Sequence, residues 1–283
     1  MLRGLAEYAM SGRRQAATVA ILFGLVPMLN VLSGSVVALV ALRHGLTEGL
    51  LVLLWAALPT GLQWLVGDSS PLMMLFGALF TALLLRQSSS WPRTLVLMTL
   101  LAWLAQLSLY LQPAYVAQVT AVIEQMLSEG MQVATEEGQA AASGEDVVAL
   151  LLRFYGAWHF ALFMVCLAVA RHWQALLYNP GGFRKEFHAL RLDPRFTAVL
   201  LALMLAGEMG ISPLDTWVPL LCMAPMVNGL ALVHFVVDQR KLGVNWLVLA
   251  WLFALLMAPA FIIAGFVDSF ANLRRHFAPG PRE

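Results

Sequence analysis

Apolar runs of the length that crosses a lipid bilayer, roughly 17–25 residues, recur along the whole of this chain and limit what it can fold into. Lipid offers backbone groups no hydrogen-bond partners, so only helices and closed barrels cross a membrane. The runs are continuous rather than alternating, which favours helices. They lie at Gln15–Leu42, Leu46–Val66, Pro71–Leu85, Thr94–Leu111, Phe154–Ala170, Phe196–Ile211, Trp217–Val237 and Trp246–Val267. The sequence predicts an all-α, polytopic integral membrane bundle, with residues 1–283 forming a single transmembrane domain.

Composition supports the same class. Of the 283 residues, 60% are apolar and only 12% are charged, against about 45–50% and about 25% in soluble domains. The net charge of +1 provides no bulk attraction for nucleic acid. We therefore expect the lipid bilayer as the main partner and no nucleic-acid partner.

The first apolar run is too long for one straight crossing and short for two. Gln15–Leu42 is interrupted by Pro27, Asn30, Ser33 and Gly34. Because proline and glycine break or bend helices, we expect either a broken helix or a tight hairpin of short helices. The chain is thus predicted to have eight or nine spans, depending on how this run divides.

Lysine and arginine predict the orientation, because short cytoplasmic loops retain them. They fall on alternate connections if the first run crosses twice, which puts the N-terminus in the cytoplasm. The clusters lie at residues 3–14, at Arg43, at Arg86 and Arg93, at 171–195, and at Arg240 and Lys241. Arg274 and Arg275 conflict with this topology, since a last span over Trp246–Val267 puts them outside.

The longest connection, Gln112 to Arg153, has the charge of an external segment. From Thr94 to Leu152 the chain has no lysine or arginine, and its acidic residues are Glu124, Glu129, Glu136, Glu137, Glu145 and Asp146. Apolar residues at helical spacing in its first half indicate an amphipathic helix. We expect an external acidic amphipathic insertion over residues 113–150. It rests on the outer face of the bundle or forms a lid over an outward-facing cavity.

A second soluble feature lies at residues 171–195, which carry an Asn-Pro-Gly-Gly turn at 179–182. This segment is expected to form a cytoplasmic elbow. Its basic side chains can rest on anionic head groups at the membrane surface. Alternatively, Arg184, Lys185 and Arg191 dock a cytoplasmic or membrane protein partner.

Two stretches share a spacing pattern. Pro27 aligns with Pro225 and Asn30 with Asn228, and each copy continues through an apolar helix to a basic stop. In transporters, structural repeats of this kind place a binding site at their interface. Chance similarity between two Leu/Val-rich segments is the alternative.

Polar side chains inside the spans mark the candidate binding site. Ionisable groups cost at least about 2.5–3.5 kcal/mol in lipid, so they face a partner or a cavity. Asn228 and His234 are expected to form one stripe along a helix, which suits a ligand or proton site, although helix–helix hydrogen bonds are the alternative. The expected substrate-binding residues are Asn30, His159, Asn228 and His234, with Glu208 and Asp215 at the outer mouth.

Motifs for catalysis are absent from the sequence. There is no His-Glu-x-x-His, no Gly-x-x-x-x-Gly-Lys and no Gly-x-Ser-x-Gly, which are signatures of zinc proteases, phosphate-binding loops and serine hydrolases. Cys166 and Cys222 lie in apolar runs, where thiols behave as small hydrophobes. We expect no enzyme, no cofactor and no metal site.

Three stretches of the chain carry a family resemblance. They are RHGLTEGLLVLLWAALPTG, HWQALLYNPGGFRKEFHALRLDPR and GLALVHFVV. They resemble the YybS-like family of uncharacterised bacterial inner-membrane proteins. That family is distantly similar to the substrate-binding components of energy-coupling-factor transporters and to the rod-shape protein MreD. The resemblance implies a helical bundle in the bacterial cytoplasmic (inner) membrane, although the acidic insertion departs from the compact transporter components.

Two functions from different classes follow from these observations. The polar stripe and the repeated pattern favour a small-molecule-binding membrane component of a transport system. The alternative is a non-transporting membrane scaffold of an envelope-assembly complex that acts through the elbow. An intramembrane enzyme acting on lipid is disfavoured by the missing motifs.

Overall fold

The computed structural model describes residues 2–65, 67–134, 144–253 and 256–277. Within these ranges the chain forms helices and no β-strand, which confirms the predicted all-α class. Six helical segments are long and apolar enough to cross a membrane, as expected of a multi-pass membrane protein.

The helices follow one another with short connections. They are α1 (Leu2–Met10), α2 (Arg13–Gly24), α3 (Asn30–His44), α4 (Leu46–Leu65), α5 (Ser70–Ser88), α6 (Trp91–Ser108), α7 (Pro113–Ala134), α8 (Gly144–Arg153), α9 (Tyr155–Tyr178), α10 (Gly182–Ala189), α11 (Pro194–Glu208), α12 (Leu214–Leu221), α13 (Met223–Gln239), α14 (Asn245–Leu252), α15 (Ala258–Ala271) and α16 (Arg274–Phe277). The six candidate spans are Pro27–His44, Leu46–Leu65, Ser70–Ser88, Trp91–Leu111, Tyr155–Tyr178 and Leu214–Gln239.

Helix α3 lies at the centre of the bundle. Its residues from Ser33 to Leu42 are all buried, as expected for a helix that is apolar all round. It packs against α2, α4, α5 and α9. Gly34 permits the close approach to α9, because a Cβ there would lie 2.8 Å from the Cys166 Sγ atom.

The first apolar run forms a tight hairpin, one of the two predicted solutions. Helix α2 ends at Gly24, and a 3-10 turn at Pro27–Leu29 leads into α3. The Ser33 hydroxyl donates to the Ala20 carbonyl at 2.8 Å and ties the two arms together. Proline lacks the backbone N–H that a continuous helix would need here.

One end of the bundle, which we call the basic end, collects most of the cationic side chains. Hydrogen bonds and ion pairs join the helix ends there. The pairs are Arg86 with the Leu42 carbonyl, Arg171 with Glu186, Arg184 with Asp238, Arg191 with the Asp268 carbonyl, and Arg274 with the His188 carbonyl. Helix α10, in the predicted elbow, therefore bridges α9 to α13 and α16.

The last apolar run, predicted as one span over Trp246–Val267, is divided into two helices. Helix α14 ends at Leu252, and α15 begins at Ala258, next to Pro259. Proline is favoured in the first turn of a helix, where its missing N–H leaves no intrahelical hydrogen bond unmade, so Pro259 marks the start of a new helix. Near the end of α14, Trp251 donates from Nε1 to His234 Nε2 in α13 at 2.9 Å.

Helix α15 then runs in the same direction as α13. The guanidinium carbon of Arg274 lies 5.7 Å from the centroid of the Phe235 ring, and that of Arg240 lies 5.6 Å from the centroid of Phe277. The C-terminal ends of both helices therefore meet at the basic end. Helix α14 runs back along the outer side of α13 with none of its residues buried, and α15 returns to the basic end, so Arg274 lies with the other cations.

Helices α7 and α8 belong to the opposite end of the bundle. The Ser69 hydroxyl donates to Gln112 Oε1 at 2.7 Å just before α7, and Arg153 at the end of α8 donates to the Asp215 carbonyl at 2.9 Å. These helices coincide with the predicted insertion over 113–150. Residues 135–143 of that insertion lie outside the described part of the chain.

Candidate functional site

Asn30 links the α2–α3 hairpin to α4. Its Nδ2 donates to Gln63 Oε1 at 3.0 Å, and Gln63 Nε2 donates to the Gly24 carbonyl at 2.9 Å. The Asn30 side chain is buried, and its Oδ1 has no partner among the described residues. This geometry is that of an interhelical hydrogen bond.

His159 is fully buried in α9. Its Nδ1 lies 2.9 Å from the Tyr155 carbonyl oxygen, and the centroids of the His159 and Tyr155 rings are 4.4 Å apart. Its Nε2 finds no partner in the described ranges. His159 thus packs within its own helix and against Phe163 rather than beside Asn30.

Asn228 lies where α13 crosses α15. Its Nδ2 donates to the Gly265 carbonyl at 2.8 Å and to the Ser269 hydroxyl at 3.2 Å. Its Oδ1, like that of Asn30, is buried without a partner in the part of the chain that is described. Both asparagines of the repeated pattern therefore bond to a following helix, and the repeat itself stays a prediction.

Asn228 and His234 do not form the predicted stripe. Asn228 faces α15, whereas His234 accepts from Trp251 in α14, and its ring centroid lies 5.2 Å from that of Phe187 in α10. Six residues at 3.6 per turn place two side chains about 120° apart around a helix. The two residues accordingly serve different helix contacts.

Glu208 and Asp215 lie at the opposite end, where α11 meets α12. Glu208 is exposed at the end of α11, and Asp215 is half-buried in the first turn of α12. The Asp215 Oδ1 is enclosed without a partner among the described residues, and its carbonyl accepts from Arg153. Their role at the mouth of a binding site stays a prediction.

The three predicted docking residues of the elbow have different surroundings. Arg184 is largely exposed and pairs with Asp238. Lys185 is exposed on α10. Arg191 is engaged internally, donating from Nε to the Asp268 carbonyl at 3.0 Å and from Nη2 to the Ser269 carbonyl at 2.8 Å. Arg191 therefore fastens the end of α15, and only Arg184 and Lys185 present exposed side chains.

His188 gives the basic end a pH dependence. Burial lowers the pKa of its imidazole below the usual value, while the Asp238 carboxylate, 3.3 Å from Nδ1, opposes this shift and Arg184 and Arg274 add to it. The folded protein thus holds His188 neutral at pH values where the unfolded chain protonates it. Burial of the neutral His188 therefore costs no stability above the unfolded-state pKa of about 6.5. Below this pH the folded protein loses stability, because the unfolded chain binds the proton more readily.

We expect the unfolding temperature in detergent to fall between about pH 7.5 and about pH 5.5, and to fall less steeply in His188→Gln. The exposed His276, replaced in the same way, serves as the control. Parallel pH profiles for wild type and His188→Gln would refute this assignment.

A cavity of about 490 Å³ opens at the basic end, between the α1–α2 connection and the start of α4. Arg13, His44 and Glu48 supply its charged or titratable side chains, and Ala16 and Val52 supply apolar walls. Arg13 pairs with Glu48 across the cavity. The site therefore combines a charged rim with an apolar interior.

A groove of about 380 Å³ adjoins this cavity and shares Arg13 and Val52 with it. Arg14 lies at one end of the groove, and Ile21 and Trp55 line it further along α2 and α4. Cavity and groove together resemble ligand sites in general, which are concave, mostly apolar and equipped with a few polar groups. None of the predicted binding residues lines either of them.

Sequence reasoning missed this site because it assigned Arg13 and Arg14 to the cytoplasmic charge cluster. One signal was available in the sequence. Two arginines open an apolar helix at the end where the helix dipole favours negative charge. Glu48 lies far away along the chain, so only the α2–α4 packing brings it to Arg13.

The chain matches no protein-family model, no curated protein and no solved structure. The resemblance to the YybS-like family therefore stays a prediction.

Proposed function

We propose that this chain is a small-molecule-binding membrane component of a transport system. The cavity between the α1–α2 connection and α4 carries the proposal. Its volume of about 490 Å³ lies within the usual range of ligand pockets, roughly 300–1,000 Å³. A charged rim and an apolar interior suit an amphipathic molecule.

Filling the cavity is expected to abolish binding. Val52 is 2% exposed and lines both the cavity and the groove, so Val52→Phe occupies the space that a ligand needs. The control is Leu58→Phe on the same helix, where the side chain is 58% exposed and faces outward. Native mass spectrometry of gently purified protein measures the small molecules retained.

We expect wild type and Leu58→Phe to retain the same molecule and Val52→Phe to lose it. If both variants retain the molecule equally, it binds outside this cavity. Asn30, His159 and Asn228, each with a buried polar atom that lacks a partner among the described residues, then become the candidate contacts of the ligand.

We also propose the finer topology: eight crossings, by α2, α3, α4, α5, α6, α9, α11 and the α12–α13 segment, with both termini in the cytoplasm. Helices α14 and α15 then form a re-entrant hairpin. Helix α15 packs closely on α13, and α14, whose residues are not buried, pairs its backbone groups within its own helix. This arrangement supports a cytoplasmic basic end under the positive-inside rule, and it removes the conflict over Arg274 and Arg275. The acidic insertion is external in this topology.

Cysteine labelling tests the topology. In a Cys166→Ala/Cys222→Ala background, Lys241→Cys and Arg275→Cys are expected to react with a membrane-impermeant maleimide only from the cytoplasmic side. Glu208→Cys is expected to react only from the outside. Labelling of Arg275→Cys from the outside would mean that the last run crosses the membrane.

The alternative function is a membrane scaffold that docks an envelope-assembly partner through α10. The exposed Lys185 beside Arg184 is the observation that favours it. A photo-cross-linker at Lys185 would then capture one defined protein, whereas the same cross-linker at Lys241 would not. Identical products at both positions would eliminate a specific docking surface on α10.

A further inference from the structure

We propose that the cavity and its adjoining groove bind a phospholipid with an anionic headgroup. The headgroup phosphate lies at the first turn of α2, and one acyl chain lies along the groove. This inference rests on the proposed function, because it names the ligand class of the same cavity.

Electrostatics at the start of α2 favour an anion. The first turn of a helix presents free N–H groups and a partial positive charge. Gly12 at the N-cap provides no side-chain hydrogen bond to them. Arg13 and Arg14 add two cations at a position where a helix disfavours cations.

The neutralisation of these cations is incomplete. Glu48 pairs with Arg13, but no described carboxylate forms an ion pair with Arg14. The exposed His44 lines the same cavity and adds a third nitrogen donor. A phosphate bound here offsets the excess positive potential and accepts hydrogen bonds from Arg14 and the α2 amides, as anions commonly do at helix N-termini.

The groove beyond the charged rim is apolar and faces outward. Ala17 and Ile21 on α2 oppose Leu51, Val52 and Trp55 on α4. From Arg13 to Ile21 the groove extends roughly 12 Å along the axis of α2. Leu51 and Trp55 remain 38% and 52% exposed, so the groove opens sideways, where a bilayer supplies acyl chains.

Charge and location together select a lipid over a soluble anion. The groove continues directly from the charged rim, since Arg13 and Val52 line both spaces. A free phosphate would contact only the charged rim and would leave the apolar groove empty. The basic end as a whole is suited to the negative surface of a cytoplasmic leaflet.

The test uses the full-length protein in nanodiscs that contain equal amounts of phosphatidylglycerol and phosphatidylcholine. Native mass spectrometry after release from the nanodiscs measures which lipid stays bound. We expect the wild type to retain phosphatidylglycerol in preference. Arg14→Gln is expected to lower that preference about fivefold, and Arg13→Gln/Arg14→Gln to lower it further. Arg93→Gln, an exposed arginine near the start of α6, is the matched control and is expected to behave as wild type.

The outcomes separate this inference from the proposed function. The anionic headgroup is overturned if both lipids are retained without preference, or if Arg14→Gln and Arg93→Gln have equal effects. In either case, loss of lipid retention in Val52→Phe would still support the cavity as a binding site. Displacement of the bound lipid by excess inorganic phosphate overturns the lipid in favour of a soluble anion. Retention of phosphatidylglycerol by Val52→Phe at the wild-type level overturns the groove as its site.

Discussion

The Gly229→Ala protein is expected to unfold at a far lower temperature than wild type, with a loss of about 3 kcal/mol or more in stability. Helices α13 and α15 cross at Gly229 and Gly265, with almost no space between their backbones. A Cβ on Gly229 would lie closer than 3.0 Å to the Phe261 carbonyl group, and one on Gly265 would do the same to the Pro225 carbonyl. Backbone atoms cannot rotate away, so one helix must move.

Gly61→Ala is the matched control. Gly61 lies inside α4, and a Cβ there meets no atom within 4 Å. Alanine is a better helix residue than glycine by roughly 0.5–1 kcal/mol, so this variant should be as stable as wild type or slightly more so. Thermal unfolding in detergent, followed by near-ultraviolet circular dichroism, compares the two. If Gly229→Ala and Gly61→Ala unfold alike, α13 and α15 do not cross as described.

The second large effect is expected for Arg274→Met. Arg274 Nε donates to Asp268 Oδ2 at 3.0 Å, and these residues are only 9% and 0% exposed. Removing one partner of a buried ion pair leaves an uncompensated charge and costs about 3–5 kcal/mol. Arg274→Met also deletes the hydrogen bond to the His188 carbonyl that ties α16 to α10. The unfolding temperature should therefore fall steeply.

Arg275→Met controls for the loss of a positive charge near the C-terminus, because Arg275 is the exposed neighbour of Arg274. Replacing both partners, as Asp268→Leu/Arg274→Met, should recover most of the stability, since the unpaired buried charge is then gone. A double variant that is as unstable as the sum of its single changes would show that the pair is not coupled. An undisturbed Arg274→Met protein would refute the ion pair itself.

Both substitutions lie in the segment from α13 to α16, which is remote in the chain from the candidate cavity. Arg13 and Val52 lie in the first quarter of the sequence, on helices α2 and α4, which pack mainly on each other and on α1, α3 and α5. Lipid retention in the two destabilised proteins, measured below their unfolding temperatures, should therefore match wild type. The stability and binding readouts are thus separable.

The sequence by itself determined the class of the fold. Continuous apolar runs without hydrogen-bond partners in lipid leave helices as the solution, and the structure has helices throughout its described ranges. Pro27 also marked the position where the first run breaks, because proline interrupts the backbone hydrogen bonds of a helix. These are local properties, so composition and spacing were sufficient to predict them.

Only tertiary contacts decided the path of the last apolar run. They also decided which side chains line the candidate cavity. Trp246–Val267 has the composition of a span. Its division follows from Pro259 together with the close packing of Gly265 in α15 against Gly229 in α13. Asn228 and His234 were predicted to share a stripe, but the helix turns them towards different neighbours. Arg13 meets Glu48 only because α2 packs on α4. Apolar runs look alike whether they face lipid, one another or a cavity, so burial and partnership depend on packing that no single segment encodes.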